Sequence, residues 1–166
     1  MSARVLVAGV GNLFFGDDGF GLAVIERLAT SRLPRNVRLM SAGVRGFDLA
    51  SALLDGYAGA ILVDAVNRGG APGTLYVIEP NAERATAEGG LGLDVDPHGF
   101  EPGRALGLAR AVGAKLPWLR VVGCEPAPLS EMSMTLSPAV EAAVDEAVAL
   151  VTSLIGEFRE DSYAHA

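Results

Sequence analysis

The side chains of this sequence that could do chemistry are the adjacent pair Asp17-Asp18, Asp64, His98 and Cys124. The aspartate pair closes the stretch Gly9-Val10-Gly11-Asn12-Leu13-Phe14-Phe15-Gly16-Asp17-Asp18-Gly19. Asp18, Asp64 and His98 together would give two carboxylates and an imidazole. That donor set suits a borderline divalent cation such as nickel or zinc. Three protein ligands would leave coordination positions open for water or a substrate group. The spacing is not a local metal motif, since neither His-Glu-x-x-His nor Cys-x-x-Cys occurs. Plainer roles stand beside this one. Asp17 or Asp18 can cap a helix, Asp64 can cap a turn at a strand end, and His98 can be a solvated loop residue. Cys124, the single cysteine, reads as a small buried hydrophobe. Glu125 and Glu131 flank a proline-rich loop and read as solvated, and His165 reads as incidental.

The elements of the chain must carry these groups to one place. Val5-Leu6-Val7-Ala8 is an apolar, β-branched run that reads as a buried strand. Leu22, Ile25 and Leu28 recur at helical spacing and predict a first helix ending near Thr30-Ser31. Val37-Arg38-Leu39-Met40 predicts a second strand, and Leu49, Leu53 and Leu54 a second helix. Ala60-Ile61-Leu62-Val63-Asp64-Ala65 is a continuous apolar run, as expected of a parallel strand buried on both faces, with Asp64 near its end. Strand, helix, strand, helix, strand with short links implies right-handed crossovers and a doubly wound sheet. In the order 2-1-3-4-5 the switch point lies between strands one and three. That order places Asp18 beside Asp64.

Thr74–Ile78 predicts a fourth strand, which the short link through Arg68-Gly69-Gly70 sets antiparallel to the third. Pro80 to Pro102 is a long irregular segment carrying Asp96-Pro97-His98, of a length usually functional or disordered. Arg104 to Ala114 predicts a helix and Leu119 to Cys124 a fifth strand. Ser137-Pro138 predicts a capped start to the last helix, with Val140, Val144, Val148, Val151 and Ile155 as its buried stripe. The expectation is one domain over residues 1–157, with a frayed tail over 158–166.

Composition excludes several classes. The 13 basic residues are outnumbered by 20 acidic ones, and no basic run marks a nucleic-acid footprint. The Phe14 position breaks the Gly-x-Gly-x-x-Gly dinucleotide pattern, no Gly-Lys-Ser or Gly-Lys-Thr follows, and paired aspartates repel phosphate. No apolar run is long enough to span a membrane. One cysteine excludes an internal disulfide framework. The expected location is the cytoplasm.

The ordered motifs resemble the hydrogenase maturation endopeptidases. They are Gly9-Val10-Gly11-Asn12 with Asp17-Asp18-Gly19-x-Gly21, Leu62-Val63-Asp64-Ala65, Ala71-Pro72-Gly73-Thr74, Pro97-His98, Val122-Gly123 and Leu136-Ser137-Pro138-Ala139-Val140. The resemblance implies a three-layer α/β/α sandwich on a five-stranded, mostly parallel sheet with one antiparallel strand. It implies an endopeptidase that removes a C-terminal extension from the large-subunit precursor of a nickel-iron hydrogenase after nickel insertion. It implies that Asp18, Asp64 and His98 bind a nickel ion supplied by the substrate, and that Asp18 and Asp64 are catalytic, as in an aspartyl-type protease. Asn12, Asp17 and Gly43 would position substrate. The partner is the precursor, with no nucleic acid and no membrane insertion, and the expected state is a monomer. The family pattern Asp-Gly-Gly-Thr after the second strand is here Ser41-Ala42-Gly43-Val44. That departure keeps an alternative in play, a nickel-dependent chaperone that binds the precursor without cutting it.

Overall fold

The computed structural model describes residues 3–43, 46–80, 113–128 and 132–164. Five strands form one sheet: β1 (Val5–Val10), β2 (Val37–Gly43), β3 (Gly59–Ala65), β4 (Leu75–Ile78) and β5 (Trp118–Cys124). Their spatial order is β2-β1-β3-β5-β4. β1, β2, β3 and β5 run parallel, and β4 pairs antiparallel with β5. Among the described residues three helices cover the sheet: α1 (Phe20–Ala29), α2 (Gly46–Leu53) and α3 (Pro138–Ala164).

Strand alternation divides the core into two apolar layers. Val5, Val7, Ile61, Val63, Val122 and Cys124 point to the side covered by α1 and α3. Leu6, Ala8, Val10, Ala60, Leu62, Leu119 and Val121 point to the side covered by α2. β1 is buried along its whole length. Both faces of the central strands are therefore dry, which is why their sequences read as unbroken apolar runs. The sheet is the α/β/α sandwich expected.

Most boundaries follow the sequence reading, and four departures have physical causes. β2 continues to Gly43, through a bulge that pairs Gly9 with Ser41 and Val10 with Gly43. β4 runs antiparallel to β3 as expected but is not its neighbour, because β5 lies between them. β5 is almost wholly buried and takes the interior position, while the short, half-buried β4 closes the edge. α3 runs to Ala164 where a frayed tail was expected from residue 158. Phe158 is buried and packs edge-on against Trp118, with ring centres 5.3 Å apart, which anchors the helix at the position where the tail was expected to begin. Ser137 precedes α3, but its hydroxyl donates to Asp17 Oδ2 at 2.8 Å. The segment from Pro80 to Pro102 and the helix expected over Arg104 to Ala114 lie outside the described residues, except Pro80, Gly113 and Ala114.

Candidate active site

β1 ends at Val10, and the chain turns through residues 11–15 into a 3-10 turn at Gly16–Gly19 before α1 begins. Gly11 makes this return possible. Its φ is +133°, and a side chain there would collide with the Asp18 carbonyl oxygen. Asn12 shapes the turn twice. Its Oδ1 accepts from the Phe14 N–H at 3.0 Å, an Asx turn, and its own N–H donates to Asp18 Oδ2 at 2.9 Å. Gly9 and Gly21 let α1 lie almost on the strands. A Cβ on Gly21 would strike the carbonyl oxygens of Val10 and Val63. The backbone thereby fixes Asp18 at the carboxyl end of β1.

Asp64 lies at the next-to-last position of β3, the strand beside β1. It is partly exposed at the rim. Desolvation holds its carboxyl well above the usual carboxylate range, the Asp18 charge pushes the same way, and a hydrogen bond from the Ala65 N–H opposes them. The two carboxylates thus sense one another across the β1/β3 boundary, where open α/β sheets bind ligands. Gly43 ends β2 on the other side of β1, paired with Val10. His98 and Glu131 lie outside the described residues. Among the described residues no group of three histidine, cysteine, aspartate or glutamate side chains is gathered as a metal site, so His98 would have to come from the undescribed segment.

The paired aspartates have separate jobs. α1 starts at the backbone of Gly19 with no side-chain cap, so neither aspartate caps it. Asp17 is buried and turns to distant chain instead. Its Oδ1 accepts from the Ser137 N–H at 2.6 Å, and its Oδ2 from the Ala127 N–H and the Ser137 hydroxyl, each at 2.8 Å. One residue therefore ties the turn after β1 to the loop after β5 and to the start of α3. The Gly16 N–H adds a bond of 2.6 Å to the Ser133 carbonyl, and Phe15 bridges Ser133.

Glu125 is likewise not solvated; only 2% of its surface is exposed. It accepts from the Arg68 N–H at 2.9 Å, the Gly69 N–H at 3.1 Å and the Tyr76 hydroxyl at 2.9 Å. Burial alone would raise its carboxyl, but the Arg68, Tyr76, Gly70 and Gly69 donors outweigh it and hold the pKa below the usual glutamate value. Sequence reading misses this clamp, because its partners lie about fifty residues away. The only local signal is a charged residue directly after a buried strand. Cys124 is buried, and desolvation, with the Asp17 and Glu125 charges, pushes its thiol up to about 12. It remains a thiol at neutral pH and cannot act as a nucleophile there.

A family model described as hydrogenase maturation protease matches residues 22–154. This chain belongs to that family. Relatives agree along the chain. It is 35% identical to the hydrogenase expression/formation protein HupD of Rhodobacter capsulatus, over 88% of this chain and 68% of the relative. A putative hydrogenase maturation protease of Methanocaldococcus jannaschii is 30% identical, over 94% of this chain and 97% of that one. The structure of this hydrogenase maturation protease resembles the hydrogenase maturating endopeptidase HybD from E. coli, with a TM-score of 0.79, 29% identity and 93% of each chain covered. It also resembles a hydrogenase 2 maturation peptidase from a Thaumarchaeota archaeon, with a TM-score of 0.66 and 34% identity, over 92% of this chain and 98% of that one. The maturation protease thus presents two aspartates at the switch point of its sheet, and a third acid, Asp17, that binds the rim together.

Proposed function

We propose that this maturation protease is an endopeptidase that removes the C-terminal extension of a nickel-iron hydrogenase large-subunit precursor once nickel is in place. The observation that carries the reading is the meeting of Asp18 and Asp64 at the β1/β3 rim, close enough for one charge to raise the pKa of the other. Two carboxylates held together in a partly dry site repel each other, and a divalent cation relieves that repulsion. Nickel enters as part of the substrate. Asp18, Asp64 and His98 complete the coordination of the ion that the precursor already holds, so an unloaded precursor cannot seat. Held by these residues, the ion would supply polarisation of the scissile carbonyl, and a carboxylate oxygen of Asp18 or Asp64 not engaged with it would accept the proton of the attacking water. The enzyme is of the aspartyl type in this sense.

The single buried cysteine and the absence, among the described residues, of a helix long and apolar enough to cross a membrane fit work in the cytoplasm on a folded protein. The expected state is a monomer.

The test is incubation with nickel-loaded and nickel-free precursor, with release of the C-terminal peptide followed by mass spectrometry. Cleavage of the loaded form only, lost in Asp64→Asn and in His98→Ala, is the expected result. Equal cleavage of nickel-free precursor removes the metal gate. Tight binding with no cleavage favours the non-cutting chaperone, which the Ser41 and Val44 departures from the family pattern allow.

A further inference from the structure

The described residues expose seven large hydrophobic side chains, and five of them lie in two short segments: Leu13, Phe14 and Phe15, and Met132 and Met134. The first segment is the turn that delivers Asp18, and the second precedes α3. The Phe15–Ser133 bridge and the Gly16–Ser133 hydrogen bond join them, so Phe14 on one segment and Met132 and Met134 on the other flank one contact. The buried Asp17 carboxylate, two residues after Phe15, accepts from the N–H groups of Ala127 and of Ser137, the latter three residues after Met134. Such an arrangement is costly without a partner. Met132 and Met134 are 72% and 69% exposed and Phe14 56%, and soluble proteins seldom gather exposed apolar side chains this way unless a partner covers them.

We infer that Leu13, Phe14, Phe15, Met132 and Met134 form the docking platform for the folded hydrogenase large-subunit precursor, gripping an apolar surface of it while its metal-bearing segment reaches Asp18 and Asp64. The inference rests on the proposed function, which makes the precursor the protein that must cover this rim. Continuity decides the occupant: Phe15 stands three residues before Asp18 and bridges Ser133, so the turn that carries the carboxylate also carries the joined apolar segments. The side chains suit the task. Unbranched methionines adapt to an irregular surface, and phenylalanine supplies large contact area at low cost in rotamer freedom. The platform separates recognition from chemistry, since none of its five side chains carries a titratable group.

The test replaces Phe14, Met132 and Met134 together by serine in the full-length protein, with Leu54→Ser as a control at an exposed apolar site elsewhere. All are surface positions, and circular dichroism and the melting temperature check the fold. Binding of nickel-loaded precursor is measured on the Asp64→Asn background, and cleavage on the native background. The expected result is a loss of roughly tenfold or more in binding and a matching rise in KM. kcat at saturation should stay within about twofold, and the Leu54→Ser control should be unchanged. Unchanged binding and KM in the triple variant overturn the inference. If the parent protein binds precursor without cutting it and the triple variant does not bind, the platform stands and the protease reading falls. If the parent protein neither binds nor cuts, both fall. If the parent protein self-associates and the triple variant becomes monomeric with precursor binding intact, a second copy is the occupant and the inference is overturned.

Discussion

Asp64 is held above the usual carboxylate range by desolvation and by Asp18, so its ionised form is the strained one. Replacing it by asparagine removes both the repulsion and the base. Cleavage should fall on the order of 10²–10⁴-fold, the usual contribution of a positioned acid or base. The melting temperature at neutral pH should rise, the signature of a functional group kept at the expense of stability. A variant that loses activity and also melts lower would mean that Asp64 serves the fold. Cys124→Ala should behave oppositely: cleavage within about twofold of the parent, and no inactivation of the parent by iodoacetamide at neutral pH, because its thiol is pushed up to about 12. The residue types for both outcomes are written in the sequence. The assignment of Asp17 as an internal tie is not, because its partners are more than a hundred positions away.

The turn between β1 and α1 works as one unit with the loop that precedes α3. Gly11→Ala would force a Cβ into the Asp18 carbonyl at a φ of +133°. The chain must re-route, so cleavage should drop at least about tenfold through displacement of Asp18, since small misplacements of a reacting group are expensive. Asp17→Ala leaves the N–H groups of Ala127 and Ser137 without their acceptor. It should cost about 3 kcal/mol, the scale of a buried charged hydrogen-bond set, read as a lower urea midpoint. Because Asp17 ties down the segment carrying Met132 and Met134, the same variant should also raise KM for the precursor. A loss of stability with unchanged KM at a temperature where the protein is folded would separate the tie from the platform.

For the whole molecule, two carboxylates impose opposite pH dependences. Glu125 titrates below its ordinary value in the folded state. The stability it contributes is therefore present above the unfolded glutamate pKa, near 4.3, and disappears as pH falls through the folded value. Asp64 titrates above its ordinary value. Its contribution is full below the unfolded aspartate pKa, near 3.9, and is lost as pH rises through the folded value. Urea midpoints measured from pH 3 to pH 8 should show Glu125→Gln less stable than the parent at neutral pH, with the gap closing in acid. Asp64→Asn should be more stable than the parent at neutral pH, with that gap also closing in acid. Gaps that do not change with pH would assign both effects to packing.

The sequence by itself determined the layered α/β architecture, since apolar runs of five or six residues separated by helical periodicity leave little but a parallel sheet buried on both faces. It also marked Asp64, which stands where such a run ends, and Asp18, which closes the acidic glycine turn that follows the first run. Only the tertiary structure decided that these two strands are neighbours, that β5 rather than β4 flanks β3, and that Asp17 and Glu125 face inward while Phe14, Met132 and Met134 face out. Strand order and burial depend on contacts between residues far apart in the chain, as in the pairing of Val5 with Gly59 and of Gly59 with Trp118. Local spacing records which elements form, and the energy of packing them against one another selects which of their ends meet.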